Sequence, residues 1–182
     1  SQLFPVLGGQ RAGISAAHFK GKGVLWEIWN EPNLGGFWPP QPNADDYVVL
    51  AKAVYTQIKK SDPKATVLGP ALSSFDYIFL ENAFKKGLLD AVDVVSLHAY
   101  GSPKPENASV YFETVRKLIY KYAKPGKHYP VVSGEWGYSA IKGFTVEKQA
   151  DYIARCYISN LMNDIPLSIW YDWHDDGPDP NE

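Results

Sequence analysis

Residues 24–33, VLWEIWNEPN, decide the fold that this sequence predicts. The apolar run carries two tryptophans and stops at Pro32, which cannot donate a backbone hydrogen bond and disfavours helix for the residue before it. We therefore predict a buried strand over residues 24–30, with Glu31 just past its carboxyl end. Barrels and open α/β sheets hold their functional side chains at this end of a strand.

The rest of the chain alternates between strand and helix patterns. A second apolar run, residues 129–133, also leads into a glutamate, Glu135. The predicted strands cover residues 24–30, 66–72, 92–100, 129–135 and 167–173. The predicted helices cover residues 43–62, 76–86, 109–123 and 145–163, after the last turns of a helix near residues 14–19. Near-continuous apolar strands with short connections to helices indicate a parallel sheet covered by helices.

The length of the chain limits its architecture. With 182 residues it can bury a substantial core, and we expect a single domain over residues 1–182. A complete (β/α)8 barrel takes about 250 residues. Five predicted strands in a shorter chain indicate an α/β fold that is either an open sheet or part of a barrel.

Composition and charge exclude several classes of protein. A formal net charge of -2 with no cluster of Lys and Arg argues against a nucleic-acid partner. No apolar run is long enough to cross a membrane and the first residues lack a signal-peptide pattern, so the compartment stays undetermined. The single cysteine, Cys156, predicts a small core residue and no disulfide. The tail around His174, Asp175, Asp176 and Asp179 fits no cation-binding loop, so we expect neither a metal nor a cofactor.

Polar side chains are predicted to gather where the strands end. Because side chains alternate along a strand, Glu31 shares a face with Leu25, Glu27 and Trp29, and the same alternation pairs Ser133 with Glu135 and His98 with Tyr100. If these faces point inward, Glu31, Glu135, His98 and Tyr100 meet at one mouth of the sheet, with Trp170 as a flat apolar wall. Two carboxyl groups, hydrogen-bonding groups and an aromatic platform are what glycoside hydrolysis needs.

Three further residues are candidates for sugar contacts. Asn30 can donate a hydrogen bond to a sugar hydroxyl beside Glu31. Trp136 follows Glu135 directly, and its ring is assigned about evenly to the site or to packing. Trp38, in the loop after Glu31, either forms a sugar subsite or covers a helix.

These motifs resemble the clan A glycoside hydrolases, the retaining (β/α)8 β-glycosidases, with families 5 and 39 (cellulase-like enzymes and β-xylosidases) the most similar. Asn30-Glu31-Pro32 matches the motif that holds the general acid/base at the end of strand four. Glu135, in Ser-Gly-Glu-Trp-Gly, matches the nucleophile of strand seven. His98 and Tyr100 match the His-x-Tyr of strand six, and Trp170 matches the platform tryptophan of strand eight.

The resemblance implies a partial barrel and a reaction. The chain would contain roughly strands four to eight, with strands one to three missing. The reaction would be hydrolysis of β-linked plant-type glycans by double displacement, with Glu135 as nucleophile and Glu31 as acid/base. It requires carboxyl groups roughly 5 to 5.5 Å apart. Tyr100 would hydrogen-bond the nucleophile.

The missing strands raise two further expectations. Glu27 would place a charge inside the barrel and needs a partner, which the missing strands would otherwise supply. The two edge strands would be open and apolar, so we expect the chain to form a homo-oligomer through them. The alternative to a working hydrolase is a truncated barrel that is inactive, or that only binds carbohydrate, and assembles through these edges.

Overall fold

The computed structural model describes residues 3–141 and 143–174, in which helices and strands alternate. The helices are α1 (Leu3–His18), α2 (Ala44–Ser61), α3 (Tyr77–Lys85), α4 (Ala108–Tyr122) and α5 (Val146–Met162). The strands are β1 (Leu25–Glu27), β2 (Thr66–Ser73), β3 (Val94–His98), β4 (Val131–Trp136) and β5 (Ser168–Trp170). Short 3-10 turns at Leu88–Asp90 and Pro105–Asn107 precede β3 and α4.

The five strands form one parallel sheet in the order in which they occur along the chain. Each strand pairs with the next, and a helix lies between them in sequence. The sheet is curled and corresponds to part of a (β/α)8 barrel. The predicted fold class is therefore confirmed. Because all strands are parallel, their carboxyl ends lie along the same rim of the sheet.

The first strand is shorter than predicted, and the alternation along it ends early. β1 stops at Glu27, whereas the prediction extended to residue 30. Trp29 and Glu31 have φ values of 67° and 45°, in the left-handed region that residues other than glycine rarely adopt. The alternation behind the predicted common face of Leu25, Glu27, Trp29 and Glu31 therefore ends at Glu27, and Trp29 does not share a face with Glu31. Trp29 is 42% exposed, while Glu31 is buried.

The first helix is longer than predicted, because its glycines hide it in the sequence. α1 spans 16 residues, of which only the last turns were expected. A Cβ atom on Gly9 would lie 3.0 Å from the carbonyl oxygen of Ala53, and one on Gly13 would lie 3.1 Å from Cβ of Gln57. The glycines thus allow α1 to pack closely against α2. This contact offsets their weak helix propensity.

The second helix matches its prediction. The Asn43 side chain accepts hydrogen bonds from the backbone N–H groups of Asp45 and Asp46, a cap that contributes about 1 kcal/mol. The predicted apolar stripe of α2 is buried against the sheet. From this stripe, Tyr47 donates its hydroxyl to the carbonyl of Ile28, which fixes the backbone just after β1. In the last helix, α5, Cys156 is a buried core residue, as predicted.

No helix in the described part of the chain combines the length and apolar character needed to cross a bilayer. Within those same residues the sheet ends at β1 and β5. Leu25 of β1 is 49% exposed and Ile169 of β5 is 48% exposed. Both edges therefore present apolar side chains beside backbone groups that can pair with another strand.

We predict that the chain self-associates through these edges. At micromolar concentration, light scattering should give a mass above the 20.3 kDa of one chain. Placing lysines on both edges, Leu25→Lys with Ile169→Lys, should shift the mass towards the monomer because edge charges oppose strand pairing. Val49→Lys, at an exposed position of α2, is the matched control and should leave the mass unchanged. A monodisperse monomer for the unmodified chain would contradict the prediction.

Candidate active site

Glu31 lies at the rim of the sheet, past the end of β1, and a backbone hydrogen bond to β2 holds it there. Its N–H donates to the carbonyl oxygen of Ala71 at 3.0 Å. Ala71 lies in an irregular stretch of β2, and its own N–H donates to Oγ of the buried Ser96 at 2.9 Å. Only 7% of Glu31 is exposed, so the carboxyl group is fixed in a largely dry position.

His98 is the centre of the candidate site. The residue is 1% exposed and ends β3. Its Nδ1 atom lies 3.0 Å from Oε1 of Glu31 and 3.6 Å from Oε2 of Glu135. One side-chain ligand atom from each of these three residues lies within 4.8 Å of the other two. The two glutamates, far apart in sequence, therefore converge around one imidazole, as the sequence predicts.

Glu27 also reaches this imidazole. Its Oε2 lies 3.7 Å from Nε2 of His98, on the opposite edge of the ring from Glu31. The expectation that its partner is lost with the missing strands is therefore wrong. Glu27 also explains the glycine before Glu135, because a Cβ atom on Gly134 would lie 2.8 Å from Glu27 Oε1. Any side chain at this position would displace the carboxylate.

Tyr100 contacts the second glutamate directly. Its hydroxyl donates a hydrogen bond of 2.6 Å to Oε1 of Glu135, which is the contact expected from the sequence. Burial and the neighbouring Glu135 carboxylate raise the pKa of the Tyr100 hydroxyl far above its ordinary value of 10.0. Tyr100 therefore stays protonated across the working pH range and acts only as a donor towards Glu135.

The electrostatics of the site favour a protonated imidazole. Burial disfavours the cation and acts to lower the pKa of His98, but the contacts with Glu27 and Glu31 and the charge of Glu135 act in the opposite direction. The carboxylates prevail, so the pKa of His98 is raised above its ordinary value of 6.5. A cationic imidazole here is stabilised by the carboxyl groups that face it.

The two predicted tryptophan contacts near the carboxyl end of β4 and β5 differ. Trp136 is 1% exposed and packs in the core beside Tyr138, so the predicted sugar contact of its ring is wrong. The reason is strand alternation, which points Trp136 to the opposite face from Glu135. Trp170 is partly buried, and its ring centroid lies 6.5 Å from that of Tyr138.

The loop after Glu31 holds a second aromatic group. Trp38 packs edge-to-face between Trp29, at 5.6 Å, and Tyr47 of α2, at 5.9 Å. This geometry favours the alternative in which Trp38 covers a helix. Trp29, which was not proposed as a site residue, is the more exposed ring, and Asn30 beside it is also exposed. The sequence feature that could have pointed to Trp29 as a candidate is its position two residues before Glu31.

Glu31, His98 and Glu135 also carry donor atoms of a kind and spacing that could hold a divalent cation. Their atoms already have protein partners, since both imidazole nitrogens face carboxylates and Glu135 accepts from Tyr100. Each of these three residues therefore already has a polar partner within the protein. Of the acidic tail, Asp175, Asp176 and Asp179 lie outside the described residues.

Comparison with known families gives a direct match. The family model for glycosyl hydrolases family 39 matches residues 19–140, a range that contains Glu31, His98, Tyr100 and Glu135. The chain belongs to glycosyl hydrolases family 39. This membership places it in the clan that the sequence motifs indicate.

Individual relatives agree with the family assignment. The family 39 chain is 34% identical over 155 residues to a beta-xylosidase of Geobacillus stearothermophilus, covering 72% of this chain and 30% of the relative. It resembles a monomeric beta-xylosidase from Caulobacter crescentus CB15, with 26% identity, a TM-score of 0.71, and coverage of 94% of this chain and 39% of that one.

A family 39 glycoside hydrolase from Bacteroides cellulosilyticus WH2 supports the fold alone. The identity is 24% and the TM-score is 0.77, over 95% of this chain and 38% of that one. The family 39 chain thus spans between 30% and 39% of the lengths of these relatives.

The raised pKa of His98 predicts a dependence of stability on pH. The folded protein binds this proton more tightly than the unfolded chain, whose histidine has a pKa of about 6.5. The stabilisation is complete below 6.5 and is lost as pH rises through the folded pKa. Urea unfolding across this interval should show a falling free energy of unfolding in the unmodified chain and a weaker fall in His98→Gln. Parallel curves for the two proteins would contradict the prediction.

Proposed function

We propose that this chain carries the catalytic pair of a retaining β-glycosidase, with Glu135 as nucleophile and Glu31 as general acid/base. The observation that supports it most strongly is the approach of the two glutamates, since one carboxyl oxygen of each lies within 4.8 Å of the other beside His98. Retaining enzymes need carboxyl groups roughly 5 to 5.5 Å apart, whereas inverting enzymes need roughly 6.5 to 9.5 Å to admit a water molecule.

In the first step, an oxygen of the Glu135 carboxylate attacks the anomeric carbon. The bond from that carbon to the leaving oxygen breaks, and Glu31 transfers its proton to this oxygen. The products are the released alcohol and a glycosyl ester on Glu135. The hydrogen bond from Tyr100 holds the attacking carboxylate in place and leaves its other oxygen for the sugar.

In the second step, Glu31 is a carboxylate and takes a proton from water as the water oxygen attacks the same carbon. The ester bond to Glu135 breaks, so the free sugar leaves with its original anomeric configuration and both glutamates return to their starting states. His98 contacts both glutamates and orients them relative to each other. Asn30 and Trp170 are proposed to contact the sugar, by a hydrogen bond and by stacking respectively.

The proposed substrates are β-linked plant-type glycans, and β-xylosides are the first choice. Two of the relatives are called beta-xylosidases, and one of them is 34% identical to this chain. The second candidate is carbohydrate binding without hydrolysis. It is favoured by the five-strand sheet, since an eight-strand barrel would supply further side chains around the sugar.

Azide rescue tests the two roles separately. With a dinitrophenyl β-xyloside, Glu31→Ala should still form the glycosyl ester, and azide should then release a β-xylosyl azide. Glu135→Ala cannot form the ester, so azide should attack directly and give the α-xylosyl azide. Without azide, Glu31→Ala should lose about 100- to 10,000-fold in activity on a p-nitrophenyl β-xyloside, whose departure needs the acid.

The product configurations decide the outcome. The same azide anomer from both variants, or full activity in Glu135→Ala, would overturn the assignment. If the unmodified chain hydrolyses no aryl β-glycoside, calorimetry with xylo- and cello-oligosaccharides examines the binding alternative, which requires measurable heat.

A further inference from the structure

Past Ile28, the backbone that carries Glu31 no longer pairs regularly with β2, although the Glu31 N–H still donates to the carbonyl oxygen of Ala71 at 3.0 Å. Regular pairing of β1 with β2 ends at Glu27 and Leu68, and Ile28 still donates to the carbonyl of Leu68 at 2.9 Å. Glu31 has a left-handed backbone conformation, which costs about 1 kcal/mol or more unless its surroundings hold it. Pro32, the next residue, has no N–H with which to rejoin the sheet.

Past Glu31, the side chain of Asn33 connects this segment to β2 by two hydrogen bonds. Its Nδ2 donates to the carbonyl oxygen of Ser73 at 3.0 Å, and its Oδ1 accepts from the N–H of Ser73 at 2.9 Å. An amide that both donates to and accepts from one residue makes the two bonds that paired residues exchange in an antiparallel ladder. The connection between the β1 chain and β2 thus continues for two residues beyond Glu31.

These bonds connect Asn33, through Ser73, to His98 in the candidate site. Ser73 is the residue of β2 that pairs with His98 of β3, and the N–H of Ser74 donates to the carbonyl of His98 at 2.8 Å. The ring of His98 in turn lies 3.0 Å from the carboxylate of Glu31. Asn33 therefore anchors the backbone of Glu31 to the same strand pair that holds the partner of its carboxylate.

We propose that Asn33 is a positioning residue that fixes Glu31 against His98 by pairing its side-chain amide with the backbone of Ser73. This inference rests on the proposed role of Glu31 as acid/base. Both the amide oxygen and the amide nitrogen are bonded to Ser73, which is 40 residues away in sequence. Asn33 therefore acts through Glu31, and its side chain is directed at the protein rather than at a sugar.

The first test reads the site without requiring hydrolysis. The groups facing the His98 ring are Glu27, Glu31 and Glu135, and the hydrogen bond that Glu31 accepts from the ring raises the pKa of His98. In Asn33→Ala, the Glu31 carboxylate should move away, so the NMR titration midpoint of His98 should fall by about one pH unit. The signal is assigned among the four histidines by its loss in His98→Gln.

Two further variants provide a substitute for Asn33→Ala and a control. Asn33→Ser, also uncharged, should shift the midpoint in the same direction and provides the reading if Asn33→Ala does not fold. Asn43→Ala is the matched control, because it removes an asparagine that bonds two backbone N–H groups at the start of α2. It should leave the His98 midpoint unchanged. An unchanged midpoint in the Asn33 variants would overturn the proposal.

The second test uses kinetics. Asn33→Ala should lower kcat by about 10- to 100-fold on a p-nitrophenyl β-xyloside with little change in KM, since a misplaced acid slows the chemical step. The loss should be smaller on a dinitrophenyl β-xyloside, whose leaving group needs no proton. An equal loss on both substrates would contradict positioning of the acid. If the Asn33 variants lower the His98 midpoint but the unmodified chain hydrolyses no substrate, the positioning role is supported and the proposed hydrolase function is contradicted.

Discussion

The contacts between the buried imidazole of His98 and three carboxylates are the constraint on which the rest of this site depends. Glu27 approaches from the first strand of the sheet, Glu31 from the segment just after it and Glu135 from the fourth strand, while the imidazole comes from the third. A buried carboxylate such as Glu31 is costly without a partner, and the two nitrogens of one ring face all three glutamates. Parallel strands make this possible because their carboxyl ends share one rim.

The surrounding sequence follows from that constraint. Position 134 is glycine because the Glu27 carboxylate occupies the space of a side chain. Ser96 holds the irregular stretch of β2 whose carbonyl at Ala71 receives the N–H of Glu31. Tyr100 binds the far side of Glu135. Each neighbour of the glutamates thus either satisfies a polar group or makes room for one, which leaves the carboxyl oxygens fixed relative to each other.

Much of this arrangement could be predicted from the sequence. Alternating helix and strand patterns with short connections allow few arrangements other than a parallel sheet, and such a sheet gathers its strand ends. Two glutamates at the ends of apolar runs were therefore expected to meet, and they do. Strand alternation could also have excluded Trp136, since it lies one residue past Glu135 and so faces the core.

Other features depend on contacts between distant segments and leave no local signal. The glycines of α1 disfavour helix locally, and only the close approach of α2 explains them. The left-handed conformations of Trp29 and Glu31 break the period of two on which the face assignment of β1 relied. The pairing of Asn33 with Ser73 needs the neighbouring strand to be in register, and this register is not written in residues 24–33.

Covalent trapping tests the central claim, that Glu31 and Glu135 share one anomeric carbon, most directly. A dinitrophenyl 2-deoxy-2-fluoro-β-xyloside should transfer its sugar to the nucleophile and react further only slowly. Intact-mass measurement followed by peptide mapping should locate one added sugar on Glu135, and Glu135→Gln should remain unlabelled. A sugar on any other residue, or labelling that persists in Glu135→Gln, would contradict the account.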